Sequence, residues 1–170
     1  MNIAVLKPSG NYCFRPDSTL NREAADYYIP DGIDALTLTP CIYTRLVRAG
    51  KCIGERFAQR YADNFGFGVL LDAAGADPFE ALCMDSTSYL SGQTGPMSEI
   101  GDAAFEVCVN GEALFRHDAF NAAMLYDALV KISSKSTLRA SDLVAVCLPS
   151  SIILKRGDCF SFGGHEVKIL

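Results

Sequence analysis

The sequence predicts an α+β fold dominated by β-sheet. Three observations carry that expectation. Short apolar runs with period-two alternation recur along the chain, an Asn-Gly pair joins two of them, and the helical stretches are too few for regular β–α alternation. Taken in order, residues 42–47 read as a strand. Residues 54–65 read as an amphipathic helix, with Phe57, Ala58, Tyr61, Ala62 and Phe65 on one face, Glu55, Arg56, Gln59 and Arg60 opposite, and Gly66 as its stop. Residues 69–71 are a further strand. Phe105, Val107 and Val109 alternate with Glu106 and Cys108; Asn110 and Gly111 then tolerate the positive φ of a tight hairpin, and residues 113–116 return. Residues 120–132 carry a helical stripe of Phe120, Met124, Leu125, Ala128, Leu129 and Ile132, with Asp118 as the expected N-cap. The apolar run 143–148, between Asp142 and Pro149, is a buried strand. Residues 159–162 and 166–170 close the chain as a hairpin about Gly163 and Gly164.

At 170 residues and 18.4 kDa the chain suits one domain, 1–170. With 49% apolar and 21% charged residues it is neither disordered nor of low complexity. No apolar run approaches the ~18–20 residues that cross a bilayer. The first residues lack the charged start and apolar stretch of a signal peptide, so no membrane partner and a cytoplasmic location are expected. The net charge of −5 argues against a nucleic-acid partner. Arg45, Arg48 and Lys51, the densest basic stretch, read as a solvated strand edge. Seven cysteines lack CxxC spacing and several sit in apolar runs, so reduced and mostly buried thiols are expected.

Chemistry-bearing residues are sparse. His117 and His165 lie at element ends with no second ligand at metal spacing, and read as turn or surface residues; a Cys–His pair formed in space stays open. Asp72 ends the apolar run Val69-Leu70-Leu71. A carboxylate there binds a metal, carries chemistry, or caps the next turn, and local sequence favours the cap. Asp77 follows after four small residues. The hydroxyl-rich stretch 86–96, with Ser86 and Gln93, has no phosphate-loop pattern and reads as a surface loop or an active-site lid.

Several segments together resemble the fumarylacetoacetate hydrolase (FAH) family. They are Leu6-Lys7-Pro8-Ser9, Asp72-Ala73-Ala74-Gly75-Ala76-Asp77, Gly95-Pro96, Val109-Asn110-Gly111-Glu112, the helix with Met124, Thr137-Leu138 up to Asp142, Pro149, and Leu154-Lys155-Arg156-Gly157-Asp158. The resemblance implies a mixed β-sheet roll or sandwich with about two helices, and a homodimer. It also implies a divalent cation, Mg²⁺ or Mn²⁺, held by a Glu-x-Glu pair and a later Asp, an oxygen shell that hard cations require.

Asp72 matches the family's Asp. The Glu-x-Glu pair falls near Thr39-Pro40-Cys41, and no Asp or Glu occurs between Ala35 and Gly54. The family's lysine falls near Ser86, yet no Lys lies between Lys51 and Lys131. Its substrate-binding Thr-Gly-Thr-Pro reads Val146-Cys147-Leu148-Pro149. Gly10-Asn11-Tyr12 mimics the start of its Asn-Tyr-x-x-His segment, but no His follows. The resulting expectation is an FAH-like domain with no cofactor, non-catalytic, acting as an accessory or small-acid-binding protein. Asp72 would be satisfied by backbone N–H groups or hydroxyls. The alternative is a divergent hydrolase, isomerase or decarboxylase for a small keto or dicarbonyl acid, Mg²⁺- or Mn²⁺-dependent, with Asp77, Ser86 and Gln93 as substrate contacts.

Overall fold

The alternating segments pair into two sheets. The computed structural model describes residues 1–91 and 94–170. In chain order the elements are β1 (Asn2–Leu6), β2 (Tyr12–Pro16), β3 (Leu36–Arg45), β4 (Asn64–Ala73), α1 (Pro78–Ala81), β5 (Ser88–Tyr89), β6 (Thr94–Pro96), β7 (Phe105–Val109), β8 (Glu112–His117), α2 (Ala123–Ser133), β9 (Leu143–Cys147), β10 (Ile152–Leu154), β11 (Cys159–Phe162) and β12 (His165–Lys168). The larger sheet runs β2-β1-β9-β3-β4-β5, with β10 on β3 and β6 on β4; the smaller runs β12-β11-β7-β8. β1 and β9 are parallel, and the other ladders are antiparallel. The fold is therefore mostly β with mixed sheets, as expected.

The larger sheet curls until its edges meet. Leu20, just past β2, bridges Ser88 of β5; the Asn21 N–H donates to the Ser88 carbonyl (2.9 Å) and the Ser86 N–H to the Ser18 carbonyl (3.1 Å). This closes a roll with one apolar cluster turned inward, containing Ile3, Val5, Cys41, Leu70, Ala145 and Cys147. The outward face forms the main core. There Leu125, Ala128, Leu129 and Ile132 of α2, and Phe105, Val107, Phe160 and Phe162 of the smaller sheet, pack with Leu38, Val69 and Val144.

Local turn chemistry sets the hairpins. Asn110 (φ 52°) and Gly111 (φ 84°) adopt the left-handed pair that joins β7 to β8. Gly68 meets a different constraint: a Cβ there would collide with the Tyr89 carbonyl oxygen, which is fixed in β5. Gly68→Ala is expected to cost about 1–3 kcal/mol, read from the urea midpoint, because neither strand can retreat without losing its ladder.

Three expectations are corrected. Residues 54–65 are not an α-helix. Glu55–Arg60 form a 3-10 helix, and Asn64 and Phe65 open β4, where Phe65 pairs with Gly95 of β6. Phe57 is exposed, with the Arg60 guanidinium 4.9 Å from its ring centre, and Gly66 lies within β4 under the Tyr43 ring. Long-range pairing of an apolar segment thus overrides a helical period. Asp118 does not cap α2. The helix starts after Ala122, and the Asn121 Oδ1 accepts from the Met124 N–H (3.3 Å), because buried Phe120 anchors the approach as irregular chain. The cysteines are free but not mostly buried: Cys41 and Cys147 are buried, Cys52 and Cys83 exposed, and Cys13, Cys108 and Cys159 intermediate.

Candidate functional site

Two cationic side chains reach Asp72 from the β1–β2 hairpin. Lys7 opens its turn; the Lys7 N–H donates to the Asn11 carbonyl (2.8 Å) and its own carbonyl accepts from the Gly10 N–H (2.9 Å). The Lys7 Nζ lies 3.1 Å from Asp72 Oδ2. Arg15, opposite Ile3 on β2, is fully buried, and its Nη2 bonds Asp72 Oδ1. Its Nη1 donates to the Leu71 carbonyl (3.2 Å), Thr87 Oγ1 (3.2 Å) and Ser88 Oγ (3.4 Å). The side chain thus crosses the interior of the roll from β2 to β4 and β5. A guanidinium is buried at tolerable cost only when paired and hydrogen-bonded, and Asp72 supplies the countercharge. Asp72 is therefore satisfied by two cations rather than by backbone N–H groups or hydroxyls. The roll, by curling, brings β2 against β4.

The residues around Asp72 do not make a divalent-cation site. Its cross-strand neighbour is Thr37; Thr39 and Cys41, one and two pairs further along the same face, oppose Leu70 and Gly68. Hydroxyls and a thiol replace the carboxylates that a hard cation requires, and both Asp72 oxygens already meet protein cations. Among the described residues no three His, Cys, Asp or Glu side chains gather as a metal-holding group. The guanidinium also bonds Thr87 and Ser88, beside the position where the resemblance placed a lysine.

Thiols surround this cluster. Cys147 of β9 pairs directly with Cys41 of β3, and Cys13 of β2 packs against the same inward cluster. Burial pushes Cys41 well above its ordinary value, with Cys147 adding to the effect, and pushes Cys147 from 9.0 to about 11. Burial also raises Cys13, against the lowering pull of Lys7 and Arg15. These groups are neutral at physiological pH, and their reactivity is correspondingly low. The thiolate is favoured less in the folded protein, so the stability Cys147 contributes is complete below pH 9.0 and is lost as pH rises towards about 11. Relative to Cys147→Ala, the native protein should lose up to about 3 kcal/mol more across that interval, read by urea unfolding at stepped pH. At neutral pH an alkylating reagent should modify Cys52 and Cys83 first.

The other candidate residues lie apart. Asp77 caps α1, its Oδ1 accepting from the Phe79 N–H (2.8 Å). Ser86, at φ 58°, lines a separate depression with Tyr27 and Tyr28. Gln93 lies outside the described residues. The His165 ring pairs with the Ser91 carbonyl (2.8 Å), and His117 packs on Phe120 with ring centres 4.6 Å apart. Beside the ion cluster is a cavity of about 300 Å³, walled by Lys7, Tyr12, Cys13, Asp72 and Leu82. No local motif in the sequence marks Lys7 and Arg15 as site residues. The available signal was Arg15 at an alternating position of a strand otherwise apolar on both faces.

No family sequence model matches the chain, and no curated protein aligns with it. Solved structures do match. A protein assigned to the fumarylacetoacetate hydrolase family from Yersinia pestis CO92 superposes with a TM-score of 0.82 at 18% identity, over 99% of this chain and 92% of that one. The fold is that of the FAH family. Fumarylpyruvate hydrolase from Pseudomonas aeruginosa, solved with Mn²⁺ and pyruvate, gives 0.80 at 14% identity over 100% and 89% of the two chains. A 2-hydroxyhepta-2,4-diene-1,7-dioate isomerase from Mycobacterium marinum gives 0.78 at 14% over 99% and 74%. FAH-fold proteins similar to this chain are thus hydrolases and isomerases. In this chain the FAH fold carries the Lys7–Asp72–Arg15 cluster. No helix among the described residues is long and apolar enough to cross a membrane.

Proposed function

We propose that this chain is a non-hydrolytic member of the FAH fold, a binding or accessory protein. One observation carries the reading: Lys7 and Arg15 neutralise Asp72, the carboxylate that the resemblance assigns to a divalent cation. Metal-assisted cleavage needs a Lewis acid with an open coordination position, held by several oxygen donors. Here the positive charge belongs to side chains that hold no open position and polarise no second ligand. Arg15 is buried and engaged through both Nη atoms, while its Nε has no partner among the described residues; Lys7 remains partly exposed.

The test is turnover. Fumarylpyruvate and maleylpyruvate, the substrates named by similar structures from Pseudomonas aeruginosa and Sphingobium sp. SYK-6, should be stable in the presence of this protein with Mn²⁺ or Mg²⁺. Loss of the substrate chromophore at a rate proportional to protein concentration, abolished by Asp72→Asn, would reverse the assignment.

A further inference from the structure

The roll has two ends, and the ion cluster occupies one of them. At the other lies a cavity of about 450 Å³ with an apolar floor of Leu20, Tyr43, Leu90 and Leu143. Tyr43 is six residues along β3 from Thr37, about 20 Å at the ordinary rise of a strand. This cavity is therefore distinct from the space beside Asp72. Arg22 and Arg45 also line it, and no Asp or Glu does among the described residues.

Two features mark this end as built for an anion. The chain carries 20 acidic against 15 basic residues, yet both ion pairs among the described residues involve Asp72 and neither involves Arg22 or Arg45. Two guanidinium-bearing side chains without an ion-pair partner thus line an apolar hollow in an acidic protein. The hollow also holds a polar atom without a partner. Ser91 Oγ is buried with no hydrogen bond, and the Tyr43 side chain lines the same hollow. Burial pushes the Tyr43 phenol up to about 12, so it stays a neutral O–H donor. Mouths of β-rolls and barrels, mostly apolar with a few convergent polar groups, are common small-molecule sites.

The geometry points to this cavity as a binding site for a small organic carboxylate with a compact apolar body. The carboxylate is held between Arg22 and Arg45, and the body lies on Leu20, Leu90 and Leu143. Guanidinium groups suit this role because their planar fork matches a carboxylate. The site shares no lining residue with the cavity beside Asp72.

Calorimetric titration of the full chain with benzoate, benzamide and inorganic phosphate tests this. Benzoate should bind, and both benzamide, which lacks the charge, and phosphate, which lacks the apolar body, should bind at least about ten-fold more weakly. Arg22→Met with Arg45→Met should weaken benzoate by about ten-fold or more at unchanged melting temperature, since both side chains are exposed. Arg116→Met, on the exposed face of β8, should leave binding unchanged and so exclude a mere effect of net charge. Absence of benzoate binding, equal binding of benzamide or phosphate, or full binding by the double variant would each overturn the proposal. Metal-dependent turnover would leave it untouched, because that concerns the other end of the roll.

Discussion

Asp72→Ala is expected to destabilise the protein by about 3–5 kcal/mol, the cost of stranding a buried charge. Arg15 has no exposed surface, and its remaining partners, the Leu71 carbonyl and the Thr87 and Ser88 hydroxyls, carry no formal charge. Asp72 is its one carboxylate partner among the described residues. The diagnostic comparison is a cycle. Arg15→Met alone leaves Asp72 still paired with Lys7 and partly solvated, and should cost less. Arg15→Met combined with Asp72→Ala should recover much of the loss, because no charge is then stranded. Urea unfolding reads all four proteins. A cost below about 1 kcal/mol for Asp72→Ala would mean that the pair behaves as a surface salt bridge.

Phe67→Ala should cost a similar amount, about 3–5 kcal/mol, through packing. Phe67 of β4 is buried, with its ring stacked on Phe105 of the smaller sheet (4.8 Å between centres), tilted against Phe120 ahead of α2 (4.7 Å) and edge-on to Phe65 (5.5 Å). One side chain thus joins both sheets and the approach to the main helix. Truncation opens a cavity bounded by three rings on separate elements, none free to collapse into it. Phe67→Leu, which keeps much of the volume, should lose distinctly less. Equal losses for both would place the contribution in ring geometry rather than in filled space.

The fold was legible because the signals that carry it are local. Asn110 shapes its hairpin by its own φ, and its side chain also donates to Asp158 Oδ1 (2.9 Å) and accepts from the Cys159 N–H (2.9 Å). Asp158 in turn accepts from the Lys155 N–H (2.7 Å), and Asp142 from the Asn2 and Arg139 N–H groups (2.8 Å each). The segments that resemble the FAH family are therefore turn-forming, and they report shape more than chemistry. Asn110 and the Lys155 N–H hold Asp158 below the ordinary carboxylate range. Its contribution to stability is present above that range and is lost on acidification through its lowered value, a loss that Asp158→Asn should lack in acid unfolding.

The site was less legible because its partners meet only when the sheet closes. Lys7 and Arg15 lie 65 and 57 residues from Asp72, and no local period marks that convergence. Cys13 and Arg15 alternate with Tyr12 and Phe14, so the pattern does not say which pair faces inward. The absence of a carboxylate between Ala35 and Gly54 was plain in the sequence, whereas the charge that compensates Asp72 was not. Residues 54–65 failed for the same reason, since pairing of Phe65 with β6 is invisible to a helical period.

Titration of the native protein with Mn²⁺, following the electron paramagnetic resonance signal of the free ion, addresses the central claim most directly. With Lys7 and Arg15 on Asp72, the free-ion signal should rise in proportion to added Mn²⁺ through the micromolar range, as in protein-free buffer. One equivalent of Mn²⁺ bound at micromolar concentration, and released in Asp72→Asn, would contradict the account.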